Sequence, residues 1–450
     1  MVQSLLISST RKSSGKTIIS IGLSGLANDI GYDVQTFKKG PDFIDPSWLK
    51  YASSRPCYNL DFNTMGSEEI KRMYSEKSHG MDFSLIEGTK GLFDGISIDG
   101  GDSNARLASL LKSQVLLVID CEGMTRGIAP LLEGYKSFGK KLKLNKVILN
   151  NVSTSRHESK LISAISRYTD FRVLGVIPSI KNFIVERHLG LVPTFQHPQK
   201  KKVLSSLVSI IKNNTDYKKL LPLRSKSQKK VIKSSLRKKK NSLVVGIASD
   251  AAFGFYYPDD MEEIERQGCR VKKIDLIREA RLPSIDGLFI GGGFPEIQAQ
   301  RLQNNRSMKK SIRNAINQGL PVYAECGGLM YLANSIKFGK SLTKMCNVFD
   351  IDIEMHEKPI GRGYTVLESD NHPWAMRNKN IHAHEFHYSS VKFKKKRYRY
   401  AYNVKRGYGI NGRKDGLIYK NTIASFSHLR STSKFNWTRY FIKFIEHSNG

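Results

Sequence analysis

The sequence predicts an α/β protein with two domains. Between residues 1 and 195, short apolar and β-branched runs alternate with stretches of helical spacing; the runs include "SLLIS", "VQTFKK", "FSLIEG", "VLLVID", "KVILNNV" and "VLGVIPS". A second alternating series begins at "SLVVGIA" and continues through "DGLFIGGG" and "PVYAECGG". Continuous apolar strands separated by helices are typical of parallel sheets covered on both faces.

The segment between the two series predicts the domain boundary. "KKKVLSSLVSIIKNN" has helical spacing, and the following "KKLLPLRSKSQKKVIKSSLRKKKN" contains no acidic residue and little that could form a core. Such a charge block is typical of a solvated linker. We therefore expect a first domain over 1–195, a helix and basic linker over 196–241, and a second domain over 242–450. Near the end, "RYRYAYNVKRGYG" and "NTIASFSHL" predict antiparallel strands, because the first alternates at period two.

Composition limits the classes of function. The formal net charge of +33 is compatible with nucleic-acid binding, but the lysines are spread along the whole chain, and a field that attracts an anionic small substrate is the simpler interpretation. No run reaches the roughly 18 apolar residues of a membrane helix, and the N-terminus lacks a signal-peptide pattern. We expect a cytoplasmic protein without a membrane or nucleic-acid partner. The five cysteines are far apart and form no C-x-x-C, which argues against disulfides and a zinc site.

A phosphate-binding loop is predicted after the first strand. "SLLIS" runs into "STRKSSGKT" and then into a helical segment, which is the context of a P-loop. In that interpretation the loop and helix N-terminus bind the phosphates of ATP through Ser14, Gly15, Lys16 and Thr17, and the hydroxyl of Thr17 ligates Mg²⁺. The strict pattern has glycine where Thr10 stands, so a chance loop is the alternative.

Carboxylates for the metal and the reactants are predicted in two segments. "FKKGPDFIDP" contains Asp42 and Asp45, and "LIEGTKGLFDG" contains Glu87 and Asp94 around Lys90. Glu87 ends an apolar strand, where sites of parallel sheets form. We assign Asp45 and Glu87 to the metal, and Asp42, Lys90 and Asp94 to substrate or phosphate. A solvated surface loop is the alternative for Lys90 and Asp94.

A nucleophile is predicted at Cys326, in "PVYAECGGLMYL". The thiol lies where a strand turns into a helix, a position at which a helix N-terminus and a nearby histidine activate cysteine. Attack on an amide forms an oxyanion, which needs N–H donors. The glycine turn "FIGGGFPE" offers them at Gly291, Gly292 and Gly293, with Gly327 beside the cysteine. A small residue in a turn and a glycine turn without a ligand are the alternatives.

The general base is harder to assign from the residues. "HAHEFHYSS" contains His382, His384 and His387, and "ASFSHLR" contains His428. The first three have the spacing H-x-H-x-x-H, but no ligand partner for a metal accompanies them. No acid follows two residues after His428, so the group that orients the base is absent or comes from elsewhere, with Glu385 as one candidate.

Several of these motifs are long and distinctive, and they resemble one known family. The chain is similar to the cobyrinic acid a,c-diamide synthase family from near residue 4 to near residue 430, with only the basic linker outside. The resemblance is carried by "SSGKT", "FKKGPDFIDP", "YNLDF", "IEGTKGLFDG", "VILNNV", "ERHLGLVP", "AFGFYYPDDM", "GLFIGGGFPEIQAQRL", "AECGGLMYL", "HEFHYS", "GYGINGRKDGL" and "ASFSHL".

The resemblance implies a fold and an activity. The N-terminal half is similar to dethiobiotin synthetase, and the C-terminal half to class I glutamine amidotransferases. The implied reaction is an ATP- and glutamine-dependent amidation of two acetate carboxylates of a corrinoid acid on the way to vitamin B12. In the family the histidine paired with the cysteine lies in the "ASFSHL" block, which points to His428; Arg187, in "ERHLG", is a candidate for the corrin carboxylates.

Three alternatives stay open at this point. Nickel-sirohydrochlorin a,c-diamide synthase shares the architecture, as does cobyric acid synthase with different blocks, although "KGPDFIDP" and "ERHLGL" favour the a,c-diamide branch over cobyric acid synthase. The residues do not decide between a cobalt corrin, a metal-free corrin and a nickel tetrapyrrole, and Lys90 replaces the family's commoner apolar residue. A P-loop ATPase that binds nucleic acid would need neither Cys326 nor the glycine turn. The oligomeric state is not predicted, and a homodimer is compatible with the sequence.

Overall fold

The computed structural model of the chain describes residues 2–179, 186–187, 190–223, 243–370, 374, 380–394 and 397–448. The chain divides into two compact units, Met1–Lys233 and Ser234–Gly450. The division falls within the basic segment 224–242, which lies outside the described residues. Over the described residues, no helix combines the length and apolar character needed to cross a membrane.

The first unit is built on a parallel sheet of seven strands in the order β3-β2-β4-β1-β5-β6-β7. Helices alternate with these strands along the chain, as the sequence predicts. The elements are β1 Ser4–Ser9, α1 Lys16–Asp29, β2 Val34–Lys39, α2 Ile44–Ser53, β3 Tyr58–Leu60, α3 Ser67–Ser78, β4 Phe83–Glu87, α4 Asn104–Leu111, β5 Gln114–Asp120, α5 Ile128–Phe138, β6 Lys143–Val152, α6 Ser155–Tyr168, β7 Arg172–Pro178, β8 Glu186–Arg187, β9 Gly190–Leu191, α7 Lys200–Asn214 and α8 Tyr217–Leu220.

Both faces of this sheet carry a hydrophobic core. Along β5, Val115 and Leu117 belong to one buried cluster, whereas Leu116 and Val118 belong to another. Successive side chains of a strand point to opposite faces, so the run "VLLVI" must be apolar throughout to serve both cores. This is the physical reason why the strand could be recognised from its composition.

Helix α7 belongs to the first unit. Leu207 and Ile211 are fully buried in the core that also contains residues of α1. A Cβ added at Gly22 of α1 would lie 2.5 Å from Cγ1 of Ile211, so the two helices approach closely at this glycine. The expected linker segment 196–241 therefore begins with a helix that packs into the first core, and Leu221 is still buried there.

The second unit contains a mixed sheet of nine strands in the order β12-β10-β13-β15-β24-β23-β22-β19-β20, and a four-stranded sheet in the order β17-β16-β18-β21. The elements are β10 Val244–Ala248, β11 Phe253–Phe255, α9 Pro258–Arg266, β12 Arg270–Ile274, β13 Gly287–Ile290, β14 Gly292–Gly293, α10 Ala299–Asn304, α11 Arg306–Asn317, β15 Val322–Glu325, α12 Gly327–Leu332, β16 Ser335–Phe338, β17 Ser341–Lys344, β18 Ile351–Met355, β19 Gly361–Ser369, β20 Asn380–His387, β21 Ser389–Phe393, β22 Arg399–Arg406, β23 Lys414–Tyr419, β24 Thr422–Ser425 and α13 Trp437–Ser448.

The large sheet changes direction at β24. From β12 to β24 neighbouring strands are parallel, and from β24 to β20 they are antiparallel. The predicted antiparallel strand in "RYRYAYNVKRGYG" is β22. The prediction for "NTIASFSHL" was incomplete, because β24 is antiparallel to β23 but parallel to β15. That parallel pairing brings the residues after β24 close to the residues after β15.

Candidate active sites

The predicted P-loop is preformed at the carboxyl end of β1. Gly15 has φ 95° and precedes α1, and a Cβ added there would lie 2.3 Å from Nδ2 of Asn150. That amide donates a hydrogen bond to the carbonyl oxygen of Ser14 (3.0 Å). Only glycine combines this left-handed conformation with the close approach of Asn150. The end of β6 thus holds the loop in shape.

Lys16 points back along the inside of the loop. Its Nζ donates to Oγ of Ser9 (2.9 Å), and the side chain is buried. Burial and the positive charge of Lys38 lower the pKa of Lys16 to about 8, although Glu87 and Asp45 oppose the shift. An anion such as a nucleotide phosphate would stabilise the charged form of this lysine.

The hydroxyl of Thr17 joins the predicted metal carboxylates. It donates to Oε1 of Glu87 (2.6 Å) and lies 3.3 Å from Oδ2 of Asp45. Lys38 lies among them, with Nζ at 2.5 Å from Oδ2 of Asp45 and 2.9 Å from Oε1 of Glu87. The third carboxylate, Asp42, is 3.7 Å from Lys38. The structure therefore brings together the three residues that the sequence assigned to the metal, places beside them Asp42, which was assigned to substrate or phosphate, and adds a buried lysine.

The carboxylates differ in their electrostatic environment. Burial raises the pKa of Glu87 to about 7 against the attraction of Lys38. Burial and the negative charge of Asp45 likewise raise the pKa of Asp42 to about 7. Asp45 has a lowered pKa, because its short contact with Lys38 outweighs its burial. Oε2 of Glu87 is buried and has no hydrogen-bond partner among the described residues. This carboxylate oxygen is free to accept a further cationic ligand.

The remaining substrate candidates of this unit have different surroundings. Oδ2 of Asp94 accepts a hydrogen bond from the backbone N–H of Gly91 (2.9 Å), so this carboxylate shapes the loop. Lys90 is exposed and has φ 53°. Arg187 lies in β8, and its side chain is outside the described part of the structure.

In the second unit, Cys326 occupies a sharp turn between β15 and α12. Its φ of 46° and ψ of −100° are unusual for a residue with a side chain. A Cβ added at the following Gly328 would lie 2.1 Å from the carbonyl oxygen of Ile290, so the start of α12 lies directly on the end of β13. This close approach forces the chain to bend at Cys326 and places the thiol at the helix N-terminus.

His428 lies beside Cys326 and contacts a carboxylate. Its Nδ1 is 3.3 Å from Oε2 of Glu325, the residue before the cysteine. The other oxygen of Glu325 accepts hydrogen bonds from the backbone N–H of Leu429 (2.7 Å) and the hydroxyl of Tyr323 (2.8 Å). Burial lowers the pKa of His428, but its hydrogen bonds to Cys326 and Glu325 outweigh this and raise the pKa to about 10. The three side chains form a Cys-His-Glu arrangement.

The glycine turn lies against this arrangement. A Cβ added at Gly292 would lie 2.5 Å from Cε1 of His428, and one added at Gly327 would lie 3.1 Å from the backbone nitrogen of Gly293. Gly292, Gly293 and Gly327 of the predicted oxyanion donors are therefore close to the thiol and the imidazole. The backbone N–H of the preceding Gly291 donates instead to the hydroxyl of Tyr256 (2.9 Å), so that amide is not free to act as a donor.

Both halves of the chain match known protein families. Residues 5–192 match the model of the CobQ/CobB/MinD/ParA nucleotide binding domain, and residues 244–435 match that of the CobB/CobQ-like glutamine amidotransferase domain. A cobyrinate a,c-diamide synthase of Magnetococcus marinus is 39% identical, with 98% of this chain and 96% of that protein covered. The chain belongs to the cobyrinate a,c-diamide synthase family. Two further relatives have the same name. The one from Archaeoglobus fulgidus is 35% identical, with 98% of this chain and 96% of the relative covered. The one from Caldanaerobacter subterraneus is 34% identical, with 95% of each chain covered.

The resemblance inferred from the motifs is thus confirmed, and so is the α/β fold with a nucleotide-binding domain followed by an amidotransferase domain.

The sequence analysis missed two residues that lie in the candidate sites, Lys38 and Glu325. Lys38, the last but one residue of β2, was missed because its pairing with Glu87 of β4 is visible only in the structure. Glu325 was missed because its contact with His428 depends on the parallel pairing of β15 with β24.

His387 and Glu385 have contacts away from the thiol. The ring of His387 stacks on Phe426 with centroids 3.9 Å apart. Glu385, a candidate for orienting the base, accepts hydrogen bonds from the backbone N–H groups of Tyr408 (2.6 Å) and Gly409 (2.8 Å) and braces that turn. Within the described residues, no group of three or more His, Cys, Asp or Glu could hold a metal ion.

Proposed function

We propose that the protein catalyses the ATP- and glutamine-dependent amidation of the a and c acetate carboxylates of cobyrinic or hydrogenobyrinic acid in cobalamin biosynthesis. The observation that carries the proposal is the contact of His428 with Glu325 and Cys326, in a chain that also has a preformed P-loop. The names of the relatives support the corrin substrate. The multiple carboxylates of a corrinoid acid also suit the chain's net charge of +33, which attracts anionic substrates.

Glutamine hydrolysis follows from the second site. Sγ of Cys326 attacks the amide carbon of glutamine, and His428 accepts the thiol proton. Backbone N–H groups of the glycine turn, for which we propose Gly292, Gly293 and Gly327, stabilise the oxyanion. His428 then gives its proton to the departing ammonia, and water hydrolyses the thioester to glutamate. Glu325 stabilises the imidazolium throughout because it faces Nδ1 and leaves Nε2 for the thiol.

Carboxylate activation follows from the first site. The P-loop backbone with Ser14, Gly15 and Lys16 binds the phosphates of ATP, and the γ-phosphoryl group passes to an acetate oxygen of the substrate. Ammonia attacks the carbonyl carbon of the acyl phosphate, and inorganic phosphate leaves. Asp42, Lys90, Asp94 and Arg187 remain our candidates for contacts with substrate or phosphate.

The oxygens of Thr17, Asp45 and Glu87 fit Mg²⁺, which prefers hard oxygen ligands. The buried Oε2 of Glu87, which has no partner among the described residues, supports this assignment. When bound, the ion would neutralise charge on the phosphates. Lys38 already neutralises part of the carboxylate charge, so we propose that it stays beside the ion and holds Asp45 and Glu87 in place.

A direct test supplies the purified protein with Mg-ATP, glutamine and one candidate acid at a time, and follows the product by mass spectrometry. Two successive amidations of cobyrinic or hydrogenobyrinic acid are expected. Amidation of nickel-sirohydrochlorin alone would identify the sister activity instead. No mass change with any of the three acids, while glutamine is still hydrolysed, would overturn the corrin proposal and leave the glutaminase assignment intact.

A further inference from the structure

His384 lies directly against the proposed base. The backbone N–H of His428 donates to the carbonyl oxygen of His384 (2.7 Å), and the N–H of His384 donates back (3.4 Å). Residues that exchange both hydrogen bonds in an antiparallel bridge place their side chains on the same side. The two imidazoles accordingly stack, with centroids 4.9 Å apart and planes inclined by 16°.

The ring of His384 contacts Tyr257 as well as His428. Its Nδ1 lies 3.3 Å from the hydroxyl of Tyr257. The guanidinium of Arg430 lies over the ring of Tyr257, 4.8 Å from its centroid, and donates to Oδ2 of Asp259 (3.0 Å). His384 is 7% exposed. The stacking on His428 and the contact with Tyr257 restrain the imidazole of His384.

Electrostatics separate the roles of the two histidines. Burial and the positive charges of His428 and Arg430 lower the pKa of His384 well below its ordinary value. An uncharged ring stacked on an imidazolium adds contact area and polarisable electrons without a second positive charge.

We infer that His384 is a positioning residue for glutamine hydrolysis: its imidazole, anchored at Tyr257, fixes the ring plane in which His428 meets both Cys326 and Glu325. Three constraints then act on the base. Glu325 holds Nδ1, the backbone of Gly292 lies against Cε1, and His384 covers a face of the ring. This inference rests on the proposed glutaminase activity of the second unit.

The test compares three variants of the full-length protein. His384→Ala removes the stacking ring, and we expect kcat for glutamine hydrolysis to fall roughly 10- to 100-fold with KM nearly unchanged, because a misplaced base slows the chemistry but not substrate binding. His384→Phe keeps a planar ring for stacking but loses the Nδ1 contact with Tyr257, so it should recover kcat only in part. His356→Ala is the matched control, because His356 contacts Ser390 in the four-stranded sheet and should leave kcat unchanged.

Amidation supported by ammonium salts uses the first unit and should be unaffected in all three variants. The positioning role is overturned if His384→Ala keeps the wild-type kcat. It is also overturned if the Ala and Phe variants lose kcat equally, together with thermal stability and ammonium-supported synthesis, since that pattern indicates a folding defect. A wild-type protein that cannot hydrolyse glutamine would instead remove the proposed glutaminase function, and the role of His384 with it.

Discussion

Oε2 of Glu325 lies 3.3 Å from Nδ1 of His428, although 103 positions separate the two residues in the chain. The contact exists because β15 and β24 are parallel neighbours in which Glu325 pairs with Ser425. His428 follows three residues later and turns back over the strand end. In the proposed mechanism, Glu325 therefore supplies the orienting carboxylate from the position just before the nucleophile Cys326, and no acid after His428 is needed.

Replacing Glu325 by glutamine should shift the pH dependence of glutamine hydrolysis. The hydrogen bond and negative charge of Glu325 raise the pKa of His428, so their loss lowers it. The imidazolium that protonates the departing ammonia then loses its proton at a lower pH. We expect the basic limb of kcat to move about one to three pH units lower. Steady-state glutaminase assays between pH 6 and about 10.5 would measure the shift.

The same change should alter stability with pH. Since the folded protein raises the pKa of His428, protonation of the imidazole stabilises the fold below its ordinary pKa, and this contribution is lost as pH rises through about 10. Glu325→Gln should flatten that dependence in urea unfolding.

Glu385→Gln is the matched control for both measurements. Its carboxylate faces Tyr408 and Gly409, so the change should leave the basic limb of kcat in place. An unmoved limb in Glu325→Gln would show that Glu325 only supports the backbone.

The P-loop site and the Cys326 site were each predicted only in part from the sequence. The strand "VLLVID" and the turn at Cys326 were predictable because periodicity and turn chemistry are local properties. The contact of Glu325 with His428 was not, since it depends on which strand lies beside β15. Lys38 was overlooked for another reason: a lysine in a basic chain is usually solvated, and only its register with Glu87 reveals its burial. Helix α7 was predicted as a helix, but its place in the first core was not, because that depends on its contact with α1.

Two substitutions should separate the nitrogen chemistry from the ATP chemistry. Cys326→Ser should abolish glutamine-supported amidation while ammonium salts still support it, because only the nucleophile for glutamine is lost. Lys16→Ala should stop amidation from either nitrogen source, since Nζ of Lys16 lies inside the P-loop. Product formation with glutamine and with ammonium chloride gives both results. Full glutamine-dependent activity in Cys326→Ser would show that the nucleophile has been misassigned.

Gly292→Ala should impair the glutaminase through His428. The added Cβ would lie 2.5 Å from Cε1 of the imidazole and force that ring to move. We expect kcat for glutamine to fall roughly 100-fold, as small displacements of a catalytic group cost that much. Gly134→Ala is a matched control, because nothing lies within 4 Å of its added Cβ. Wild-type kcat in Gly292→Ala would mean that the turn and the imidazole are farther apart than the structure indicates.

Lys38→Met should destabilise the first unit in a pH-dependent way. The side chain is 3% exposed and contacts Asp45 and Glu87, so its removal leaves the buried carboxylate of Glu87 and the half-buried carboxylate of Asp45 without their cation. Breaking a buried ion pair from one side costs about 3 kcal/mol or more, and the free energy of unfolding at pH 8 should fall by that amount. At pH 5 the loss should be smaller, because without Lys38 the carboxylates bind protons more readily. Lys71→Met, which removes an exposed pair with Glu68, should change stability by less than about 0.5 kcal/mol at either pH. Urea unfolding at both pH values measures these differences, and an equal loss at pH 5 and pH 8 would contradict the proposed coupling between Lys38 and the two carboxylates.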